Sequence, residues 1–379
     1  MKYDIISADG HVDLIWLPPD LFTKNASASM KERMPYVIDG PKGSEWTSVK
    51  GAKFGLVNGM GSAGREYVPG IIHRSDRMAS TGLYDDGKKG IRRLTDVQLR
   101  LKDQERDGVQ AEVLYGILGA SGRLNDPEAA TEVLRIYNDW LHDFCSAAPD
   151  RLVGLANIPN HDMDVAVAEA SRNAKRGVKG FDVANKPDMT PLWDPFWEPL
   201  WQLAHETGIP VHFHTIGGRS PDTSKMPAFV QRRAFAAHIT NFQMHMGYML
   251  MSLIFSGAPE RYPNLKIVIG EAGLGWIPYV LQHMDLEWED QFKDLDLKMK
   301  PSEYWHRQFY ATYQTDPVGV RLFDLLGVDN VMWGSDFPHP DGIWPDSQEF
   351  LDKELSGVSA DVRRKVTRDN AIKLYQLAA

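Results

Sequence analysis

The chain has a single cysteine, Cys145, in 379 residues. A disulfide framework is therefore excluded, and a reducing compartment fits. In Trp140-Leu141-His142-Asp143-Phe144-Cys145 the thiol falls at helical spacing and reads as a plain core residue. Positive charge is also short: 42 Lys and Arg against 51 Asp and Glu leave a formal charge of −9. With no basic stripe to neutralise phosphates, nucleic acid is excluded as a partner. Long apolar runs are missing too. The longest, Tyr248 to Phe255, is far short of the roughly 20 residues that span a bilayer. Met1-Lys2-Tyr3-Asp4 carries no signal-peptide pattern. No low-complexity run, short-period repeat or composition break marks a second core. A soluble, cytoplasmic protein with one domain over residues 1–379 is expected, and 43% hydrophobic content is ample for its core.

Strand and helix patterns alternate along the chain. Strands are expected at Tyr3–Ala8, Ala111–Tyr115, Leu152–Ile158, Val178–Ala184, Ile209–His214, Leu265–Gly270, Phe309–Tyr313 and Val328–Gly334. Between them fall helical stretches. One is capped by Asp126 with Pro127 at its first position, and another, Pro195 to Thr207, is closed by Gly208. Leu94 to Asp107 has helical spacing, with Val97, Leu99 and Leu101 on a different face from Arg100 and Gln104. Phe229 to Ser256 reads as one long helix. Eight βα units predict an α/β fold, a (β/α)8 TIM barrel with parallel strands. Residues 17–89, after the first strand, have no sustained period and read as an inserted lid, in which Trp46, Phe54, Tyr67 and His73 are candidates to close over the mouth.

Chemistry gathers where strands stop. Asp9 and His11 follow the first, His212 and His214 end the fifth, Glu271 follows the sixth, and Asp336 follows the eighth in Gly334-Ser335-Asp336-Phe337-Pro338-His339. A barrel delivers all these ends to one mouth. Asp9 and His11 share a face because strand side chains alternate, as do His212 and His214, so spacing leaves the choice between those two open. Two imidazoles and two carboxylates suit one divalent ion, Zn²⁺ before Mn²⁺ or Fe²⁺.

These motifs, with Pro210-Val211-His212-Phe213-His214 and Tyr262-Pro263-Asn264-Leu265-Lys266-Ile267, resemble the amidohydrolase superfamily. Within it they are similar to the branch typified by aminocarboxymuconate-semialdehyde decarboxylase. The resemblance covers most of the chain and is strongest from Ile209 to Pro345. It implies a metal held by Asp9, His11, His214 and Asp336, with His212 behind His214, and a homo-oligomer (dimer or tetramer) acting on a small molecule. The family's opening His-x-His is here Asp9-x-His11. Its catalytic histidine after the sixth strand is here Glu271, which acts as base or ligand but supplies no positive charge. The helix that follows has no arginine to clamp a substrate carboxylate, and His283 is the nearest substitute.

The leading expectation is nonoxidative decarboxylation of a small aromatic or unsaturated acid, with Asp336 as the proton donor. The alternative is hydrolysis of an amide, ester, lactone or C–C bond, in which Asp336 or Glu271 takes the proton and His339 polarises the carbonyl. A third reading is a non-catalytic barrel used for binding. Either His339 lines the pocket or it bonds the turn holding Asp336, and Asp341 reads as a turn residue. His238 and His245 read as helix-surface histidines. Met244, Met246, Met249 and Met251 read as core or interface filler.

Overall fold

The computed structural model describes residues 3–186, 188–215 and 222–378. Its frame is a ring of parallel strands. These are β1 (Ile6–His11), β2 (Ala111–Tyr115), β3 in two pieces (Leu152–Gly154 and Ala156–Ile158), β4 (Phe181–Val183), β5 (Val211–His214), β6 (Ile267–Gly270), β7 (Phe309–Tyr313) and β8 (Val331–Trp333). One arc runs β1-β2-β3, and a second runs from the other piece of β3 through β8 in chain order. The arcs join at the break in β3, where Leu155 N–H donates to the Leu114 carbonyl (3.1 Å) and Ala156 N–H to that of Gly180 (2.9 Å). They close where Asp336 N–H donates to the Asp9 carbonyl and His11 N–H to that of Phe337, each at 2.8 Å. This is the (β/α)8 barrel that the alternation predicts.

Small and branched residues fill the barrel: Ile6, Ala8, Val113, Leu155, Val268 and Met332 pack with Tyr115 and Tyr310. β1 carries a bulge, because Ser7 pairs with Glu112 and Gly10 with Leu114. The extra residue lets Ala8 join the barrel core while its neighbour Asp9 also reaches inward, to Thr312 of β7. Gly334, just after β8, is required by contact: a Cβ there would lie 2.3 Å from that of Asp9.

The sequence pattern misleads in four places. Residues 17–89 are partly regular, with an antiparallel sheet of Tyr36–Gly40, Gly43–Thr47 and Lys53–Leu56 followed by helices His73–Ser80 and Leu83–Lys88. Strands this short, mostly solvent-facing, show too little alternation to read. Phe229 to Ser256 is two helices, Ala228–Asn241 and Met246–Phe255, separated by a 3-10 turn. Short polar helices Pro301–Gln308 and Ser347–Glu354 leave no apolar period to find. Finally, helix Val97–Asp107 buries its charged side: Arg100, Asp103, Gln104 and Asp107 are inside, while Val97, Leu99 and Leu101 are only half-buried. The partners decide this, since Arg100 and Gln104 both bond the buried carboxylate of Glu112.

Cys145 sits behind this frame, and burial pushes its thiol up to about 12, which makes it unreactive. No helix among the described residues is long and apolar enough to cross a membrane.

Candidate metal centre

Four strand ends meet at one mouth. Asp9 Oδ2 accepts from the Thr312 hydroxyl (2.7 Å) and from the main-chain N–H of Glu271 (2.9 Å). Its Oδ1 has no hydrogen-bond partner and stands 3.2 Å from His11 Nε2 and 3.4 Å from His214 Nε2. His11 Nε2 in turn lies 3.0 Å from Asp336 Oδ1. His214 Nδ1 is 2.9 Å from the carbonyl of Thr215, which places its proton there and turns the Nε2 lone pair inward. Asp9 Oδ1, both imidazole Nε2 atoms and both Asp336 oxygens are thus buried and unpartnered. Interiors do not concentrate orphaned polar atoms in this way without a ligand for them. The ligand atoms of Asp9, His11 and His214 lie within 4.8 Å of one another, and so do those of His11, Asp336 and His339. Two imidazole nitrogens and two carboxylates at this spacing fit one divalent cation.

The backbone is strained at two of these points. Glu271 (φ +50°) and Asp336 (φ +56°) occupy the left-handed region, which side chains other than glycine seldom adopt. Each is held there by Asp9, through its carboxylate for Glu271 and its carbonyl for Asp336.

The acids are driven apart in proton affinity. Burial works against ionising Asp9, but His214 and His11 outweigh it and keep the carboxyl below its ordinary range. For Asp336 burial is likewise outweighed by His339 and His11. Glu271 goes the other way: burial, then Asp336, Asp341 and Asp9, hold it well above its ordinary value. His339 is pulled down by burial but raised further by Asp13 and Asp336, which favour its protonated form.

His339 does both things the sequence leaves open. It lines the cavity, and its Nδ1 is 3.2 Å from Asp336 Oδ1 while its ring stacks on His11 at 4.0 Å. Asp341 is more than a turn residue, since it lines the same cavity and joins Glu271 and Asp336 in an acidic group. His212 does not touch the cavity. Its Nδ1 meets the Tyr115 hydroxyl at 3.0 Å, and burial lowers it to about 3, so it is neutral. The Tyr115 ring in turn packs edge-on to His214 at 4.6 Å.

Several expectations fall away from the mouth. His283 is 57% exposed beside Glu287 and cannot clamp a substrate there. Trp46 and Phe54 are buried within the insertion, Tyr67 bonds Asp76 (2.7 Å), and His73 begins a helix; none lines the cavity. The insertion instead contributes Gly61, Ser62, Ala63 and Arg65. His238 and His245 lie half-buried on the helix Ala228–Asn241 and the turn after it. Met246 and Met249 are core, whereas Met244 is exposed.

Three residues escape the sequence reading. Asp13 continues the alternation of Asp9 and His11 and meets His339 Nε2 at 3.3 Å, so its signal was available. Arg65 and Arg123 line the cavity of about 360 Å³ from segments with no readable period.

A family model described as amidohydrolase matches residues 92–377. The chain belongs to the amidohydrolase family. Gamma-resorcylate decarboxylase of Rhodococcus jostii (strain RHA1) is 27% identical over 323 residues, spanning 82% of this chain and 96% of that protein. The 2-amino-3-carboxymuconate-6-semialdehyde decarboxylase of Dictyostelium discoideum is 23% identical over 287 residues, 74% of this chain and 77% of its own. In fold, this amidohydrolase matches 5-carboxyvanillate decarboxylase of Novosphingobium aromaticivorans, with a TM-score of 0.69 and 20% identity over 99% and 97% of the two chains; that crystal contains manganese and 3-methoxy-4-hydroxy-5-nitrobenzoic acid. This amidohydrolase thus falls in the branch its motifs resemble, that of metal-dependent carboxy-lyases and hydrolases.

Proposed function

We propose that this amidohydrolase is a nonoxidative decarboxylase of small aromatic or unsaturated carboxylic acids. It would use one divalent ion, Zn²⁺ or Mn²⁺, held by Asp9, His11, His214 and Asp336. Support comes from relatives named as decarboxylases of such acids and from a similarly folded protein that holds manganese. The observation that carries the reading is the set of buried, unpartnered ligand atoms on Asp9, His11, His214 and Asp336, with the Glu271 carboxyl beside them.

Loss of carbon dioxide needs a proton on the carbon that bore the carboxylate. Burial and the neighbouring acids favour the protonated form of Glu271, whereas His339 and His11, against the cost of burial, favour the ionised form of Asp336, the donor expected from sequence. We therefore assign the transfer to Glu271: its carboxyl protonates the carbon, the bond to the carboxylate breaks, and the electron pair returns to the ring or diene as carbon dioxide leaves. Water then reprotonates Glu271. His339, fixed between Asp13 and Asp336, supplies in its protonated form a positive charge for a substrate oxygen. When bound, the divalent ion supplies the charge that draws an anion into a mouth lined by acids. A homo-oligomer fits this molecule, because no residue of helix Ala228–Asn241 is buried and Phe229, Phe235 and Ile239 face outward.

Purified protein is analysed for metal and then assayed for carbon dioxide release from a panel of phenolic and dienoic acids. Stoichiometric metal with gas evolution is expected. Turnover of neutral esters or lactones without gas would favour hydrolysis instead, and absence of metal the non-catalytic barrel.

A further inference from the structure

Most cations buried in this chain have an acid beside them: Arg93 pairs with Asp103, and Arg100 with Glu112. Arg123 does not. It lies in the 3-10 turn Gly122–Leu124 beyond β2, is half-buried, and lines the cavity that contains His11, His214, Glu271 and His339. No carboxylate among the described residues is within ion-pair distance of it, and its Nε is buried without a hydrogen-bond partner. Its one hydrogen bond among the described residues, from Nη1 to the Lys53 carbonyl, is long at 3.4 Å. Asp13 is the acid whose charge reaches it, but that carboxylate is already engaged with His339.

A guanidinium partly withdrawn from water and left without a close counter-charge costs free energy, and burial accordingly pulls this one below its ordinary value. The insertion holds it in place. Phe54, on the strand Lys53–Leu56, sets its ring 5.4 Å from the guanidinium carbon, and the Lys53 carbonyl takes the hydrogen bond. A side chain braced by a buried aromatic, kept at a cavity wall and denied an internal anion is a receptor for an external one. Its planar fork matches a carboxylate, which accepts two parallel N–H bonds.

We propose that Arg123 receives a second carboxylate of the substrate, apart from the one that leaves, and so selects diacids over monoacids. This rests on the decarboxylase reading for which carboxylate leaves, but not for binding. Arg123 is specificity-determining and takes no part in moving the proton.

The test titrates metal-loaded holoenzyme calorimetrically with salicylate and with derivatives of salicylate bearing one further ring carboxylate. Wild type should bind at least one diacid about 10-fold or more tighter than salicylate. In Arg123→Gln that diacid should weaken by about 10- to 100-fold while salicylate moves by less than about 2-fold. Arg123→Lys, which keeps the charge and loses the fork, should fall between the two. Equal weakening of both ligands, or a wild type without diacid preference, overturns the proposal. Should Arg123→Gln fail to fold, the lysine variant and the wild-type preference decide: a lysine variant that binds the diacid as wild type does, or that weakens both ligands alike, overturns it. Because the titration reads binding, diacid selection by a protein that releases no carbon dioxide supports the Arg123 assignment while removing the decarboxylase reading.

Discussion

Arg100 donates from Nη1 to the main-chain carbonyl of His11 at 2.9 Å, so a candidate metal ligand is anchored to a guanidinium with no exposure to solvent. The same guanidinium binds Glu112, which also accepts from Gln104 at 2.6 Å. Arg100→Met leaves the Glu112 carboxylate buried and unpaired, a change that costs about 3–5 kcal/mol in comparable sites. Denaturant unfolding should show that loss, and metal titration should show weaker binding because the end of β1 is released. The double variant Arg100→Met/Glu112→Leu removes both charges and should recover most of the stability without recovering the metal affinity. Recovery of both would mean that the pair does not position His11.

Asp9 can present one bare oxygen because its other is satisfied twice. Thr312→Val deletes one of those donors and keeps the side-chain shape. Stability should drop by about 1 kcal/mol. Metal affinity should drop by about 10-fold, as expected when the partner orienting a ligand is lost. Competition with a chelator, run alongside thermal melting, separates the two effects. Unchanged metal affinity would show that the Glu271 N–H alone suffices to aim Asp9.

Glu271 and Asp336 are given different work, and isosteric amides tell them apart. Glu271→Gln removes the proton to be transferred and should reduce carbon dioxide release by about 10²- to 10⁴-fold with metal content unchanged. Asp336→Asn should keep the fold and lose turnover together with metal. Near-normal gas release from either variant takes that residue out of its assigned role.

The alternation of strand and helix is legible because barrel strands are buried on both faces and read as plain apolar runs. The ends of those strands are legible for a related reason. An acid or histidine that terminates such a run has few structural uses, and Asp9, His11, His214, Glu271 and Asp336 do meet at one mouth. What could not be read depends on partners distant in sequence. Arg65 and Arg123 reach the cavity from turns whose course is set by packing against the rest of the chain. Val97–Asp107 shows the opposite face to the one its apolar residues suggest, because Glu112 and Ser347 supply partners for its polar side. Separating Glu271 from Asp336 in proton affinity needed three-dimensional information as well. In sequence both are acids after a strand, and only their neighbours, three acids around one and two imidazoles beside the other, separate them.

Asp107 offers a pH test away from the metal centre. It lies at the end of helix Val97–Asp107, where Oδ1 accepts from Ser347 N–H (2.9 Å) and Oδ2 from its hydroxyl (2.5 Å). Burial, with Glu112 and Asp346 adding to it, outweighs these bonds and raises the carboxyl from 3.8 to about 7. The folded protein therefore still holds this proton at a pH where the unfolded chain has released it. Below 3.8 both states are protonated and the group costs nothing; between 3.8 and about 7 stability falls as pH rises; above that the cost is constant. The slope approaches about 1.4 kcal/mol per pH unit within that window. Asp107→Asn does not ionise and keeps Oδ1 as acceptor for Ser347 N–H, with the amide able to donate to the hydroxyl. The difference in unfolding free energy between variant and wild type should therefore grow in the variant's favour from acid to neutral pH and then level off. A difference that stays flat over the same range would mean that Asp107 is ionised in the folded protein, with Ser347 and surrounding water stabilising the charge.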